Sequence, residues 1–154
     1  TKLLGNAMYW AWRNPDERAK VVSNPGLVPG WVEETLRYDP STQALARVAL
    51  RDLEVGDKKL APGDRVYLLI GSGNRDEDVF PEADKYDIER DTSLTLHFGH
   101  GTHFCLGAAL ARLEGRVVLE EVVRRMPAFE IDETGLERVH SINVRGFAKL
   151  PVSI

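Results

Sequence analysis

Apolar residues crowd the first segment of the chain. Leu3, Leu4, Ala7, Met8, Tyr9, Trp10, Ala11 and Trp12 leave almost no polar stripe. A helix apolar nearly all round belongs in the middle of a protein. Because no capping signal precedes it, Thr1 is expected to lie inside a longer helix whose upstream part is absent; the alternative is a terminal helix packed in a dimer interface. The helix should stop near Asn14, before Pro15 and two acids open a second one through PDERAKVVSN. Pro25-Gly26 breaks that helix, and Leu27–Tyr38 reads as a third, with Val32 and Leu36 on one face and Pro40 beyond its end. From Gln43 to Leu50 the pattern alternates, and LEVGDKKLAPGDRVYLLI reads as strand, turn, strand, turning at Pro62-Gly63 and β-rich over Val66–Ile70. Asn74 to Thr95 is polar with little periodicity, a length of coil that compact domains keep for function or for packed irregular structure. Leu106, Leu110, Leu113 and Val117 then recur at helical spacing and predict a helix over Leu106–Arg125, stopped by Pro127. The tail INVRGFAKLPVSI reads as a short hairpin around Gly146.

The length of 154 residues fits one domain, and 43% apolar with 29% charged residues is ordinary for a globular chain. A net charge of −4 points to neither nucleic acid nor an anionic membrane surface. No apolar run is long enough for a membrane segment, and no signal-peptide pattern is present. One cysteine excludes an internal disulfide and suits a reducing, cytoplasmic setting.

That cysteine, Cys105, sits in HFGHGTHFCLG just before the last predicted helix. A helix N-terminus carries partial positive charge and outward N–H groups, which favour an anion on sulfur. Gly99, Gly101 and Gly107 let backbone approach a flat group and allow positive φ. Phe98 and Phe104 add apolar bulk that excludes water. Such a shielded sulfur, with flat open space beside it, suits an iron ligand in a macrocycle. Three rivals stand beside this reading. An inert buried cysteine is common. Zinc would use His97, His100, His103 and Cys105, without a carboxylate to orient an imidazole. A dinucleotide loop requires glycine where Phe104 stands.

FGHGTHFCLG resembles the haem-binding signature of the cytochrome P450 family: Phe, Gly, any, Gly, any, His or Arg, any, Cys, any, Gly. Every fixed position matches, and AALARLE after it resembles the start of that family's proximal helix. The resemblance covers essentially the whole chain but less than half of a complete member. It implies a mainly α fold with small β-sheets (α+β): residues 1–154 as the C-terminal haem-binding fragment of a single domain. Cys105 would be the axial iron ligand, with Phe98, Gly99, Gly101 and Gly107 lining the cofactor.

Other residues take their meaning from that resemblance. Glu34 and Arg37 form E-x-x-R at i, i+3, which alone is an ordinary helix pair worth about 0.2–0.5 kcal/mol. In the family this pair is joined by a third arginine, here Arg90 in YDIER, and the triad locks the coil to the helix. Arg47 is by alternation a strand arginine facing solvent; in bacterial members it binds a haem propionate together with the loop histidine, here His103. Thr42 to Leu45 would face the distal pocket. His97 and His100 are expected at the surface or filling the loop, and His140 has no visible partner. Arg112, Arg116, Arg124 and Arg125 make the last helix basic, and Arg112 is the candidate contact for a redox partner.

The implied parent is a haem-thiolate monooxygenase of the soluble bacterial type. It would use haem b (iron protoporphyrin IX), O2, and NAD(P)H-derived electrons relayed by a ferredoxin or flavoprotein reductase, to oxidise a small organic substrate. The missing N-terminal portion of the same protein would be a further partner, since the proton-delivering acid–alcohol pair and most of the substrate pocket lie upstream. The chain alone is therefore expected not to turn over. The competing class is a truncated, non-enzymatic haem-binding or interaction module, with a zinc protein as a weaker option.

Overall fold

The computed structural model describes residues 1–154 and is mainly helical with small sheets. Helix α1 (Lys2–Arg13) runs into α2 (Pro15–Ser23), which opens with a proline and with Asp16 and Glu17 in its first turn, where acids complement the helix dipole. A single 3-10 turn at Pro25–Leu27 leads into α3 (Val28–Tyr38). Within this chain α1 is only partly covered. Its fully buried positions are the small residues Asn6, Ala7 and Ala11, while Tyr9, Trp10 and Trp12 are only half-buried. Small side chains let α1 approach α3 closely, so that the Trp31 indole donates to Ala7 O at 3.1 Å. The large aromatics then spread over neighbouring surface, where Tyr9 packs on Phe147 and Trp10 on Tyr38.

Strands β1 (Leu45–Val48) and β4 (Arg65–Leu68) pair antiparallel with Arg47 opposite Val66, and β2 (Leu53–Val55) pairs with β3 (Lys58–Leu60) across the Gly56 turn. The β-rich run stops two residues early, at Leu68: Ile70 starts a one-turn helix α4 (Ile70–Gly73) and is buried. The coil over 74–95 contains no strand and no α-helix. Helix α5 (Ala108–Arg125) begins two residues later than the periodicity predicts.

Within this chain the apolar stripe on α5 is the exposed face. Leu106 is fully exposed, and Leu110, Leu113 and Val117 are each about half exposed, whereas Ala108, Gly115, Leu119 and Val122 are buried. The reason lies at Gly115: a Cβ there would stand 3.2 Å from Val32 and 3.3 Å from Leu3, so the helix turns its smallest residue to α3 and α1 and its leucines outward. One cluster including Ala7, Ala11, Trp31, Val32, Leu36, Leu119, Val122 and Phe129 unites the helices.

The tail forms two short ladders instead of one hairpin about Gly146. Strand β5 (Glu130–Ile131) pairs with β8 (Val152–Ser153), and β6 (Glu137–Arg138) with β7 (Phe147–Lys149). Gly146 lies at the base of the β6–β7 loop, where its carbonyl accepts Val139 N–H. That loop bridges to the segment before β1 through Gln43 N–H to Asn143 O at 2.9 Å and Arg145 N–H to Ser41 O at 2.8 Å. Two-stranded ladders are marginal alone, and here they lean on α1, which contacts both β5 and β7.

Candidate cofactor site

The site stands on a buried ion pair in α3. Arg37 and Glu34 have no exposed side-chain surface. Arg37 Nε and Nη2 donate to the two Glu34 oxygens at 2.7 and 2.8 Å; its remaining N–H groups reach the carbonyls of Asn74, Ala83 and Lys85 at 2.9, 2.9 and 3.1 Å. All five guanidinium donors are thus used. Glu34 Oε1 also accepts Asp87 N–H at 2.9 Å and lies 3.6 Å from Arg90 Nε. Arg90 grips the carbonyls of Pro81 and Glu82 at 2.6 and 3.0 Å, which holds Glu82 at a φ of 52°, a left-handed backbone unusual outside glycine. A coil without a ladder of its own is therefore fastened carbonyl by carbonyl to arginines.

Asn74 carries this order to the cysteine loop. It is fully buried, its side-chain amide donates to Leu36 O, and its side-chain oxygen accepts Leu96 N–H at 2.7 Å. Gly99 and Gly101 then adopt φ of 76° and 67°, the left-handed conformations expected of them, while Gly107 caps α5 at an ordinary φ of −87°. Cys105 N–H donates to Phe98 O at 2.8 Å, and Cys105 O accepts Ala108 N–H at 3.2 Å. The thiol is free and exposed.

Cys105 opens onto a cavity of about 540 Å³ whose lining includes Leu36, Thr42, Leu45, Arg47, Phe98, Gly99, His103 and Ala111. Arg47, from β1, and His103, from the cysteine loop, thus line the same cavity as the sulfur. Both are exposed, and within the chain Arg47 donates only to the Ala46 carbonyl, at 3.0 Å. Their donors remain available to an acidic group at the cavity rim.

The histidines part company. His97 fills the loop, its side chain 2% exposed, while His100 and His140 lie at the surface. Burial and the nearby Arg112 charge lower the His97 pKa to about 4 against the pull of Glu33. No three His, Cys, Asp or Glu side chains converge on a metal position. The basic face expected on α5 is also muted. Arg112 makes a bidentate pair with Glu33 at 2.6 and 3.0 Å, Arg116 lies 3.6 Å from Glu120, and Arg124 and Arg125 share Glu121.

Four buried polar residues had no signal in the sequence: Asn6, Thr35, Asn74, and Asp39 at the end of α3. Asp39 accepts the Trp10 indole at 2.8 Å and Arg145 Nε at 2.7 Å, which fixes the β6–β7 loop to α1 and α3.

The cytochrome P450 family model matches residues 22–153. Cytochrome P450 123 of Mycobacterium tuberculosis is 50% identical over 155 residues, spanning 100% of this chain and 39% of that relative. The biotin biosynthesis cytochrome P450 of Bacillus subtilis is 36% identical over 98% of this chain and 38% of its own. In structure, P450BioI in complex with acyl carrier protein ligated to hexadec-9Z-enoic acid superposes with a TM-score of 0.95 at 36% identity, covering 99% of this chain and 40% of that one. The chain belongs to the cytochrome P450 family. It spans about 40% of the length of the relatives it matches.

The family implies haem as cofactor, with O2 and reducing equivalents from a redox partner. The residues present fit that group: a sulfur on the cavity wall, left-handed glycines that keep the loop backbone flat beside it, apolar Leu36, Leu45 and Phe98, and the cationic or donor groups Arg47 and His103 for acidic substituents.

Proposed function

We propose that the chain is the haem-ligand half of a haem-thiolate monooxygenase, one piece of a single longer domain. The observation that carries this is the meeting of Cys105, Arg47 and His103 around one cavity. Cys105 would hold the iron through sulfur, and Phe98, Gly99, Gly101 and Gly107 would form the wall against which the porphyrin lies. Arg47 would fork onto one propionate, a geometry guanidinium matches well, with His103 donating beside it. When bound, the haem would supply O2 activation, with one oxygen atom entering a small organic substrate and the other leaving as water, at the expense of two electrons and two protons. Glu34, Arg37 and Arg90 would take no part in the chemistry; they fix the coil on which the cysteine loop depends. Thr42 to Leu45 would border the substrate space.

Electrons would arrive from NAD(P)H through a ferredoxin or flavoprotein docking on the face that carries Arg112, in the cytoplasm. The upstream portion of the same protein would cover the exposed leucine stripe of α5 and bring the proton-delivering groups. No helix of the chain is long and apolar enough to cross a membrane.

Titration of the purified chain with haem, followed by its absorption, tests the assignment. Wild type should bind one equivalent. Replacing Arg47 and His103 together by Ala should weaken retention by roughly tenfold or more, the scale of one lost charge-assisted hydrogen bond. Equal affinity in wild type and the double variant would refute the propionate roles. Ferredoxin and NADPH should yield no product with the chain alone; sustained product formation would contradict the need for upstream residues.

A further inference from the structure

Glu33 and Glu34 are neighbours on α3, yet only Glu34 is sealed. Glu33 retains 24% of its side-chain surface and holds Arg112, which retains 43%. On the inner side of the same carboxylate lies His97, with its Nε2 at 3.8 Å from Glu33 Oε2. That separation is too long for a hydrogen bond. Both ring nitrogens of His97 are buried without a partner, a state that costs free energy and is rare in folded proteins. Phe98 lies between the two cationic candidates, with the Arg112 guanidinium 4.7 Å over its ring and the His97 ring 4.3 Å away, edge to face.

We propose that Arg112 and His97 are alternative partners of Glu33: an acidic protein that draws Arg112 outward leaves Glu33 to His97, whose Nε2 takes a proton from solvent and closes on the carboxylate. This rests on the reading that an electron-donating protein docks on the Arg112 face.

The charged groups that act on the His97 ring are Glu33 from α3 and Arg112 from α5; Thr92, Ser93, Thr95 and His100 share the adjoining cavity of about 220 Å³, and Lys2 from α1, Arg47 from β1 and His103 from the cysteine loop line the larger cavity on its other side. In the paired state, burial and the Arg112 charge keep the ring neutral. Withdrawing Arg112 removes one of those two causes and leaves a partly desolvated carboxylate without a counterion. The nearest group able to supply one is His97. Arg112 is free to leave because its bidentate grip uses two of its five N–H groups and the side chain already reaches solvent. Docking then takes up a proton, and by reciprocity a lower pH tightens docking. The exchange occurs around Phe98, whose carbonyl holds Cys105 N–H.

The test is the His97 titration by NMR, with histidine-labelled full chain kept reduced under carbon monoxide so that any haem iron is diamagnetic. In wild type His97 should titrate near pH 4. In Arg112→Gln and in Arg112→Met it should titrate about one unit higher, since the Arg112 charge is gone and Glu33 is free to close on the ring while burial persists, and adding Glu33→Gln should abolish the rise. A His97 value near 6.5 in wild type, or one that both Arg112 variants leave in place, overturns the exchange; so does loss of folding in both, since an exposed arginine without an alternative partner behind it would then be structural. Failure of the docking reading shows separately: an acidic [2Fe–2S] ferredoxin that leaves the Arg112 Nε–H signal of wild type unmoved sinks docking, while the His97 values still decide the exchange.

Discussion

Two glutamate–arginine pairs share helix α3, and they differ in nearly everything but geometry. Both are bidentate, with bonds between 2.6 and 3.0 Å. Glu34–Arg37 has no exposed surface and saturates every guanidinium donor; Glu33–Arg112 is open and leaves donors facing solvent. Burial, not bond length, separates a lock from a latch. Breaking a buried pair strands a charge in low dielectric, whereas a surface pair exchanges with water at little cost.

Arg37→Met should therefore cost about 3–5 kcal/mol, read as a large drop in the denaturation midpoint or as failure to fold. Acid should have the next largest effect, through His97. Its folded pKa, about 4, lies below the unfolded value of 6.5, so below pH 6.5 the unfolded chain binds the extra proton and stability falls until pH 4. The loss approaches about 3 kcal/mol across that window, and His97→Leu should flatten it in urea titrations between pH 7 and 4. Gly30→Ala comes third: a Cβ there collides with the Ile88 carbonyl, so α3 would be pushed off the coil at about 1–3 kcal/mol, visible as a lowered melting temperature. Arg112→Gln should cost well under 1 kcal/mol. An Arg112→Gln penalty equal to that of Arg37→Met would erase the distinction between the two pairs.

The same contrast explains what the sequence revealed. The glycine–cysteine signature is local, so the loop was legible from residue types, and Glu34 and Arg37 followed from the resemblance it carries, since E-x-x-R alone is an ordinary helix pair. The helices were legible too, because Pro15, Pro25 and Pro40 mark their ends. Less legible was which face each helix turns to its neighbours within this chain. The leucines of α5 look like a core stripe, but Gly115 decides which side meets α3 and α1, and a close approach between helices has no periodic signature. On α1, likewise, Ala7 and Ala11 pack against neighbours, and the tryptophans spread over nearby surface. Asn74, Asp39 and the Glu33–His97 contact join segments far apart in the chain, so no spacing announces them.

The central claim is that Cys105 holds the haem iron through sulfur. The most direct measurement is the absorption spectrum of the reduced, haem-loaded chain under carbon monoxide. The wild-type chain should show the strongly red-shifted band of a thiolate ligand, and Cys105→Ala should lose it. A band at the ordinary histidine-ligated position in wild type, or a red-shifted band that survives Cys105→Ala, would contradict the assignment.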